Sequence, residues 1–287
     1  MQDDPGPEGT AAASPEPRSA GELVARIASG IVLGAVALGV AWLGAKPFAA
    51  LVLVVALLMS WEWGRVVRGV EFDLTFVIHA AAVTIAVLLG ALGFAALGLA
   101  ALFVGAIIAI PLQFGERGLL SSAGVLYTGL PALALLWLRG DVPHGFLAVV
   151  FILALVAATD TAAYFVGRLA GGPKLWPSVS PNKTWSGLLG GIAASASAGA
   201  LFAHYAGASV PALAVSGLIL GLVAQAGDLA ESALKRHFGV KDASNLIPGH
   251  GGFMDRMDGV VTVAVTSALF ALFSNASAPA QALLFGY

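Results

Sequence analysis

Of 287 residues, 59% are hydrophobic, 10% are charged and 36 are glycine, which leaves too little polar surface to cover a water-soluble domain. The expected solvent is lipid. A net charge of -2 gives no nucleic-acid footprint. The absence of cysteine excludes disulfides, thiolate nucleophiles and cysteine metal sites, so any metal must be held by carboxylate, hydroxyl, carbonyl, water or histidine.

Residues 1–20 contain four prolines and four acidic residues with almost no large apolar side chains, so they are expected to form a disordered tail. The acidic start, with the apolar run beginning only near Leu23, argues against a cleaved secretory signal. A crossing helix needs about 20 apolar residues. Nine such stretches follow, near 23–44, 47–63, 73–91, 93–112, 119–138, 144–168, 186–206, 209–230 and 258–275. The third and fourth, separated by Gly90 to Gly93, can also be read as one broken unit. The chain is thus expected to be an all-α polytopic membrane protein with about nine transmembrane helices.

Lys and Arg accumulate in cytoplasmic loops. With nine crossings, the side that holds the N-terminus receives twelve of the fourteen basic residues, and the other side receives Lys46 and Arg139. The N-terminus is therefore expected in the cytoplasm, the C-terminus outside, and the two most polar loops on the cytoplasmic face. The expected organisation is a tail over 1–20, N-terminal transmembrane helices over 21–140 and a C-terminal transmembrane catalytic region over 141–287.

The densest polar stretch begins at Gln225: QAGDLAESALKRHFGVKDASNLIPGHGGFMDRMD. Asp228, Glu231, Ser232 and Lys235 share one helical face, and two acids, a hydroxyl and an amine on one stripe can hold a divalent cation with its phosphates. The alternative is a solvated helix end with a Glu and Lys pair. Lys241 and Asp242 precede the turn-rich segment Ile247 to Gly252, whose glycines let backbone amides approach an anion. Asp255, Arg256 and Asp258 then open the last crossing, with both carboxylates on one helical face.

Asp160, inside the sixth crossing, is either a packing acid or a functional one; intramembrane acids favour the second reading. SPNKTWSG, residues 180–187, places Lys183 and Thr184 just before a helix N-terminus, which favours phosphate. His79 and His204, alone in apolar crossings, are read as packing or interfacial residues. Trp42, Trp61, Trp63, Trp137 and Trp185 are placed at the membrane interface. Gly30 with Gly34, and Gly187 with Gly191, permit close helix approach within the chain or at a dimer seam.

The run SALKRHFGVKDASNLIPGHGGFMDRMD, Ser232 to Asp258, resembles the signature of the phosphatidate cytidylyltransferase family. GDLAES upstream, SPNKTWSG and the Asp160 to Gly172 stretch with AYFVG extend the resemblance over about residues 150–265. Two positions depart from the family pattern: Asn182, where a basic residue is usual, and Ser186, where Glu is usual.

The resemblance implies attack by an oxygen of phosphatidic acid on the α-phosphorus of CTP, with pyrophosphate leaving and CDP-diacylglycerol as product. Such transfer asks for positioning and charge neutralisation more than for proton removal. Asp228, Asp255 and Asp258 are expected to hold Mg²⁺, with a monovalent cation such as K⁺ beside it. Asp160, Asp228, Lys235 and Asp255 are the expected catalytic residues. Lys183, Thr184, Glu231, Ser232, Arg236, Lys241, Asp242, His250 and Arg256 are the expected substrate-binding residues, although His250 can equally satisfy the glycine turn. The resemblance also implies a homodimer in the inner membrane among its lipids, without nucleic acid. Rival readings are a related CTP transferase acting on another lipid phosphate, and a transporter, which should show matching polar interruptions in its two halves. No such match is present.

Overall fold

The computed structural model describes residues 20–246 and 251–286, with side chains from residue 30 onward. The expected tail, apart from Ala20, and His250 therefore lie outside the described residues. The helices are α1 (Ala20–Leu43), α2 (Ala45–Arg68), α3 (Leu74–Ala91), α4 (Ala95–Ala109), α5 (Glu116–Gly140), α6 (Gly145–Ala170), α7 (Trp185–Ala206), α8 (Val210–His237), α9 (Met254–Asn275) and the short α10 (Pro279–Phe285). Eight of them, α2 to α9 with α4 extended by a 3₁₀ turn to Leu112, are long and apolar enough to cross a membrane. The described apolar part of α1, Gly30–Leu43, is shorter. Apolar side chains face outward along these helices, with Ile107 65% and Leu218 47% exposed, an arrangement stable in hydrocarbon and unstable in water. The chain is an all-α, multi-pass membrane protein.

The third and fourth apolar stretches are separate helices. Leu92 and Phe94 return their amides to carbonyls at the end of α3, and Gly93 takes a φ of 88° between them. The segment before α7 is more than a loop. β1 (Lys174–Trp176) and β2 (Ser180–Thr184) form an antiparallel hairpin pairing Lys174 with Thr184 and Trp176 with Ser180, and Thr184 ends it by capping α7, its hydroxyl accepting from Gly187 N at 3.1 Å.

Small residues bring α6 and α7 together: a Cβ at Gly191 would sit 2.9 Å from the Thr159 carbonyl, so only glycine permits this backbone approach. Gly30 and Gly34 have nothing within 4 Å among the described residues, so they mediate no close contact there. Trp63 is packed inside the protein: it is 4% exposed, donates Nε1 to Leu120 O at 2.9 Å and lies against Tyr127 with ring centroids 4.9 Å apart. His79 is buried and hydrogen-bonds Thr128 through Nε2 at 2.8 Å. Arg139 turns inward, donating Nε to Ala41 O at 2.9 Å. Asp141 accepts from Ala280 N and Gln281 N at 2.7 and 3.1 Å, which supports α10, an element too short to register in the apolar pattern.

The last crossing begins at Met254, four residues before the apolar stretch does, because Glu62 of α2 terminates it. Fully buried, Glu62 accepts from Phe253 N at 2.9 Å, Met254 N at 2.6 Å and Ser244 Oγ at 2.6 Å. A carboxylate at a helix N-terminus answers both the orphan amides and the positive end of the dipole. A Cβ at Gly252 would collide with that carboxylate. Around it, Met59, Trp63, Val66 and Val67 of α2 pack with Met254 and Val261 of α9 and with Ala243.

Glu62→Ala should destabilise the protein by roughly 1–3 kcal/mol for each buried donor left unpaired. The thermal unfolding transition of the detergent-solubilised variant checks this; an unchanged transition would contradict the capping role.

Candidate active site

α8 continues past its apolar part to His237, so its final turns present a polar face toward the start of α9. Lys235 Nζ donates to Glu231 Oε1 at 2.9 Å and is also ion-paired with Asp255. Glu231 is 3% exposed, and its second oxygen accepts from Tyr127 Oη at 3.2 Å. Asp255 Oδ2 accepts from Ala243 N at 3.0 Å and Gly252 N at 2.7 Å. This ion triad therefore ties α8, α9 and the segment between them. Losing one member would strand a buried charge, which is far costlier than loss of an exposed pair.

Beside the triad lies a more open group. Lys183, carried by β2, reaches Asp228 Oδ2 at 2.6 Å, and Ser232 Oγ is 3.4 Å from Asp228 Oδ1. Asp160, an exposed residue of α6, lies within electrostatic reach of Asp228, Lys183 and Arg256, with Gln225 Nε2 3.5 Å from its Oδ1. Asp258 lies within reach of Asp228, Glu231 and Asp160 and accepts from Gly259 N at 2.7 Å. α6, α8, α9 and the hairpin thus converge on one polar cleft.

The chemistry of this donor set fits a divalent cation. With all ionised, the five carboxylates Asp160, Asp228, Glu231, Asp255 and Asp258 face three cations, Lys183, Lys235 and Arg256, a deficit of two charges. Among the described residues no three acidic or histidine side chains form a closed metal cage. Mg²⁺ needs none, since it binds through one or two carboxylates, water and substrate phosphates. Asp228 and Asp258 are half-buried, whereas Asp255, expected as a ligand, has its oxygens engaged by Lys235 and two backbone amides.

Other expected site residues are more peripheral. Thr184 is buried and engaged as the α7 cap. Ser186, at a position departing from the family pattern, bonds Gly171 O and Thr184 Oγ1. Arg236 is exposed and donates to Val179 O and Val240 O, both at 3.3 Å, holding the hairpin against the end of α8. Lys241 and Asp242 are exposed. Glu62, Tyr127 and Gln225 are not singled out by sequence pattern. Glu62 carries a usable signal as the one acid within the apolar span of α2, since an acid at such a position calls for a partner. Tyr127 and Gln225 carry none, because their roles depend on partners 104 and 65 residues away.

Sequence comparison places these residues in a wider group. The phosphatidate cytidylyltransferase of Brucella suis biovar 1 is 42% identical over 272 residues, covering 92% of this chain and 99% of that protein. That of Brucella abortus biovar 1 is 43% identical over 260 residues, covering 88% and 95%. The phosphatidate cytidylyltransferase of Bacillus subtilis is 39% identical over 164 residues, 56% of this chain and 61% of its own. A profile of the cytidylyltransferase family matches residues 24–274, a span that contains the ion triad, the open carboxylates and Glu62, and the chain belongs to that family.

Proposed function

We propose that this protein transfers the cytidylyl group of CTP to phosphatidic acid, producing CDP-diacylglycerol and pyrophosphate for phospholipid synthesis. The observation that carries the reading is the cluster of Asp160, Asp228, Glu231, Asp255 and Asp258 with Lys183, Lys235 and Arg256, two positive charges short when all are ionised, in a membrane-spanning member of the cytidylyltransferase family. Full-length relatives with the phosphatidate cytidylyltransferase name support the choice of donor and acceptor.

An anionic oxygen of the phosphatidate headgroup attacks the α-phosphorus of CTP, a new P–O bond forms, and the bond from the α-phosphorus to the bridging oxygen of pyrophosphate breaks. The nucleophile is already ionised, so no general base is required. Mg²⁺, held by Asp228 and Asp258 with Asp160 nearby, would neutralise triphosphate charge when bound; a monovalent cation such as K⁺ is the second expected ion. Lys183 sits on a hairpin and pairs with a single, partly exposed carboxylate, which suits it to exchange Asp228 for a substrate phosphate. Arg256 offers a planar fork for a phosphate. Lys235, enclosed by Glu231 and Asp255, is a positioning residue that fixes α8 against α9.

The catalytic groups concentrate in 141–287, with Glu62 and Tyr127 contributed from 21–140. The basic-residue asymmetry supports a cytoplasmic N-terminus and a cleft open to the cytoplasmic CTP pool, in keeping with an enzyme of the inner membrane. The family resemblance supports a homodimer.

The deciding experiment follows pyrophosphate release by the purified protein in detergent with Mg²⁺ and CTP, with and without phosphatidic acid. Release should require all three and fall at least about 100-fold in Asp228→Asn, the scale on which electrostatic contributions to a transition state are felt. Release that needs a different lipid phosphate would redirect the reading to another acceptor. Lys183→Ala should lose a comparable factor in kcat while unfolding at the unmodified temperature. Lys235→Ala should also lower thermal stability, by about 3–5 kcal/mol, through its stranded partners. Equal stability of the two variants would contradict the division of labour between these lysines.

A further inference from the structure

Between Asp160 and Asp228 the sequence contains no acidic residue, yet Arg168, Lys174 and Lys183 all fall there. Lys183 is taken up by Asp228. Among the described residues no carboxylate pairs with Arg168 or Lys174. Both are exposed, and the Arg168 guanidinium donates to Tyr164 Oη at 2.9 Å.

The two cations belong to one patch. Lys174 of β1 stands opposite Thr184 of β2, and a Cβ at Gly167, the residue before Arg168, would lie 2.9 Å from the Thr184 hydroxyl. Trp185 N also donates to Pro173 O at 3.1 Å, so the hairpin is fastened across the end of α6 and the start of α7. Large apolar side chains adjoin it. Phe165 and Leu169 of α6, Trp176 of β1, and Trp185 and Leu189 of α7 are all exposed, Leu169 to 86% and each indole to 51%.

Outward leucines beside exposed indoles mark the level at which a crossing helix passes from hydrocarbon to headgroups, because indole has an apolar body and a polar N–H. Cations at that level meet lipid phosphates. Any phospholipid satisfies the indoles, whereas two uncompensated cations in a segment without acids favour one of net negative charge.

We propose that the end of α6 and the β1–β2 hairpin form a binding surface for the headgroup of an anionic phospholipid other than the acceptor, its phosphodiester held by Arg168 and Lys174, and that occupancy raises the transfer rate by steadying the hairpin. Lys183 is the residue before Thr184, the strand partner of Lys174, and Val179 in the hairpin turn accepts from Arg236 of α8. A headgroup bound at Lys174 therefore restrains the strand that delivers Lys183 to Asp228. The effect on rate rests on the proposed transferase activity; the binding does not.

Binding is tested by native mass spectrometry of the detergent-purified protein titrated with dioleoyl phosphatidylglycerol or dioleoyl phosphatidylcholine. In Arg168→Gln/Lys174→Gln the affinity for phosphatidylglycerol should fall about 30-fold, or about fivefold for each cation removed near an anionic headgroup, while that for phosphatidylcholine stays the same. Lys46→Gln, an exposed cation at the start of α2, should change neither. Equal retention of phosphatidylglycerol by the double variant and the unmodified chain would overturn the proposal.

Activity is tested in phosphatidylcholine nanodiscs holding a trace of phosphatidic acid. Replacing part of the phosphatidylcholine with phosphatidylglycerol should raise kcat of the unmodified protein severalfold at constant KM for CTP and leave the double variant at its basal rate, with the two proteins equal in phosphatidylcholine alone. A raised KM for CTP in the double variant whatever the lipid would overturn the proposal and assign these cations to the nucleotide. Binding lost in the double variant, with no pyrophosphate release by either protein, would refute the transferase reading while leaving the lipid surface.

Discussion

Ionised side chains inside a lipid-solvated bundle must be surrounded by donors or opposite charges, because neither hydrocarbon nor apolar neighbours can solvate them. Glu62, Glu231 and Asp255 meet that requirement in ways that fix the rest of the site. Glu62 takes the amides that open α9 and the hydroxyl of Ser244. Glu231 and Asp255 enclose Lys235, and Asp255 also takes the amides of Ala243 and Gly252. Moving α2, α8, α9 or either end of the connecting segment would break several of these bonds together, so the polar cleft inherits its geometry from charge satisfaction.

The same demand separates two kinds of charged residue. Lys235 contacts two carboxylates at low exposure, whereas Lys183 is held by Asp228 from a hairpin at the edge of the bundle. A charge with two enclosed partners is fixed; a charge with one partly exposed partner can be shared with a ligand. The open carboxylates Asp160, Asp228 and Asp258 come from α6, α8 and α9, rigid helices whose packing through small residues such as Gly191 leaves little freedom of approach. Precision at the reacting end therefore comes from close backbone contact, while the region bounded by α1 and α2 is built from larger side chains and leaves space between them.

The sequence carried most of the element list. Apolar length located α1 to α9 to within a few residues for most boundaries, because lipid imposes a minimum crossing length. The ends that shifted have local causes: α8 runs on through its polar face to His237, and α9 starts early because Glu62 caps it. The inward packing of Trp63 is not legible in the sequence, because periodicity says nothing about the Leu120 carbonyl and Tyr127 ring that receive it. The hairpin at 174–184 was hidden by its brevity, since three and five residues give no alternation to read.

By itself the sequence determined that the protein crosses a membrane repeatedly, that its chemistry relies on carboxylates and cations without thiols, and that the Asp228 to Asp258 region carries that chemistry. These follow from composition and local spacing, which do not depend on distant contacts. Only the tertiary structure decided which acids are enclosed and which stay open, why Asp255 organises while Asp228 faces the cleft, and that Glu62 and Tyr127 belong to the site. Those distinctions depend on partners separated by up to 192 residues, and a buried charge takes its role from the groups that surround it rather than from its neighbours in the chain.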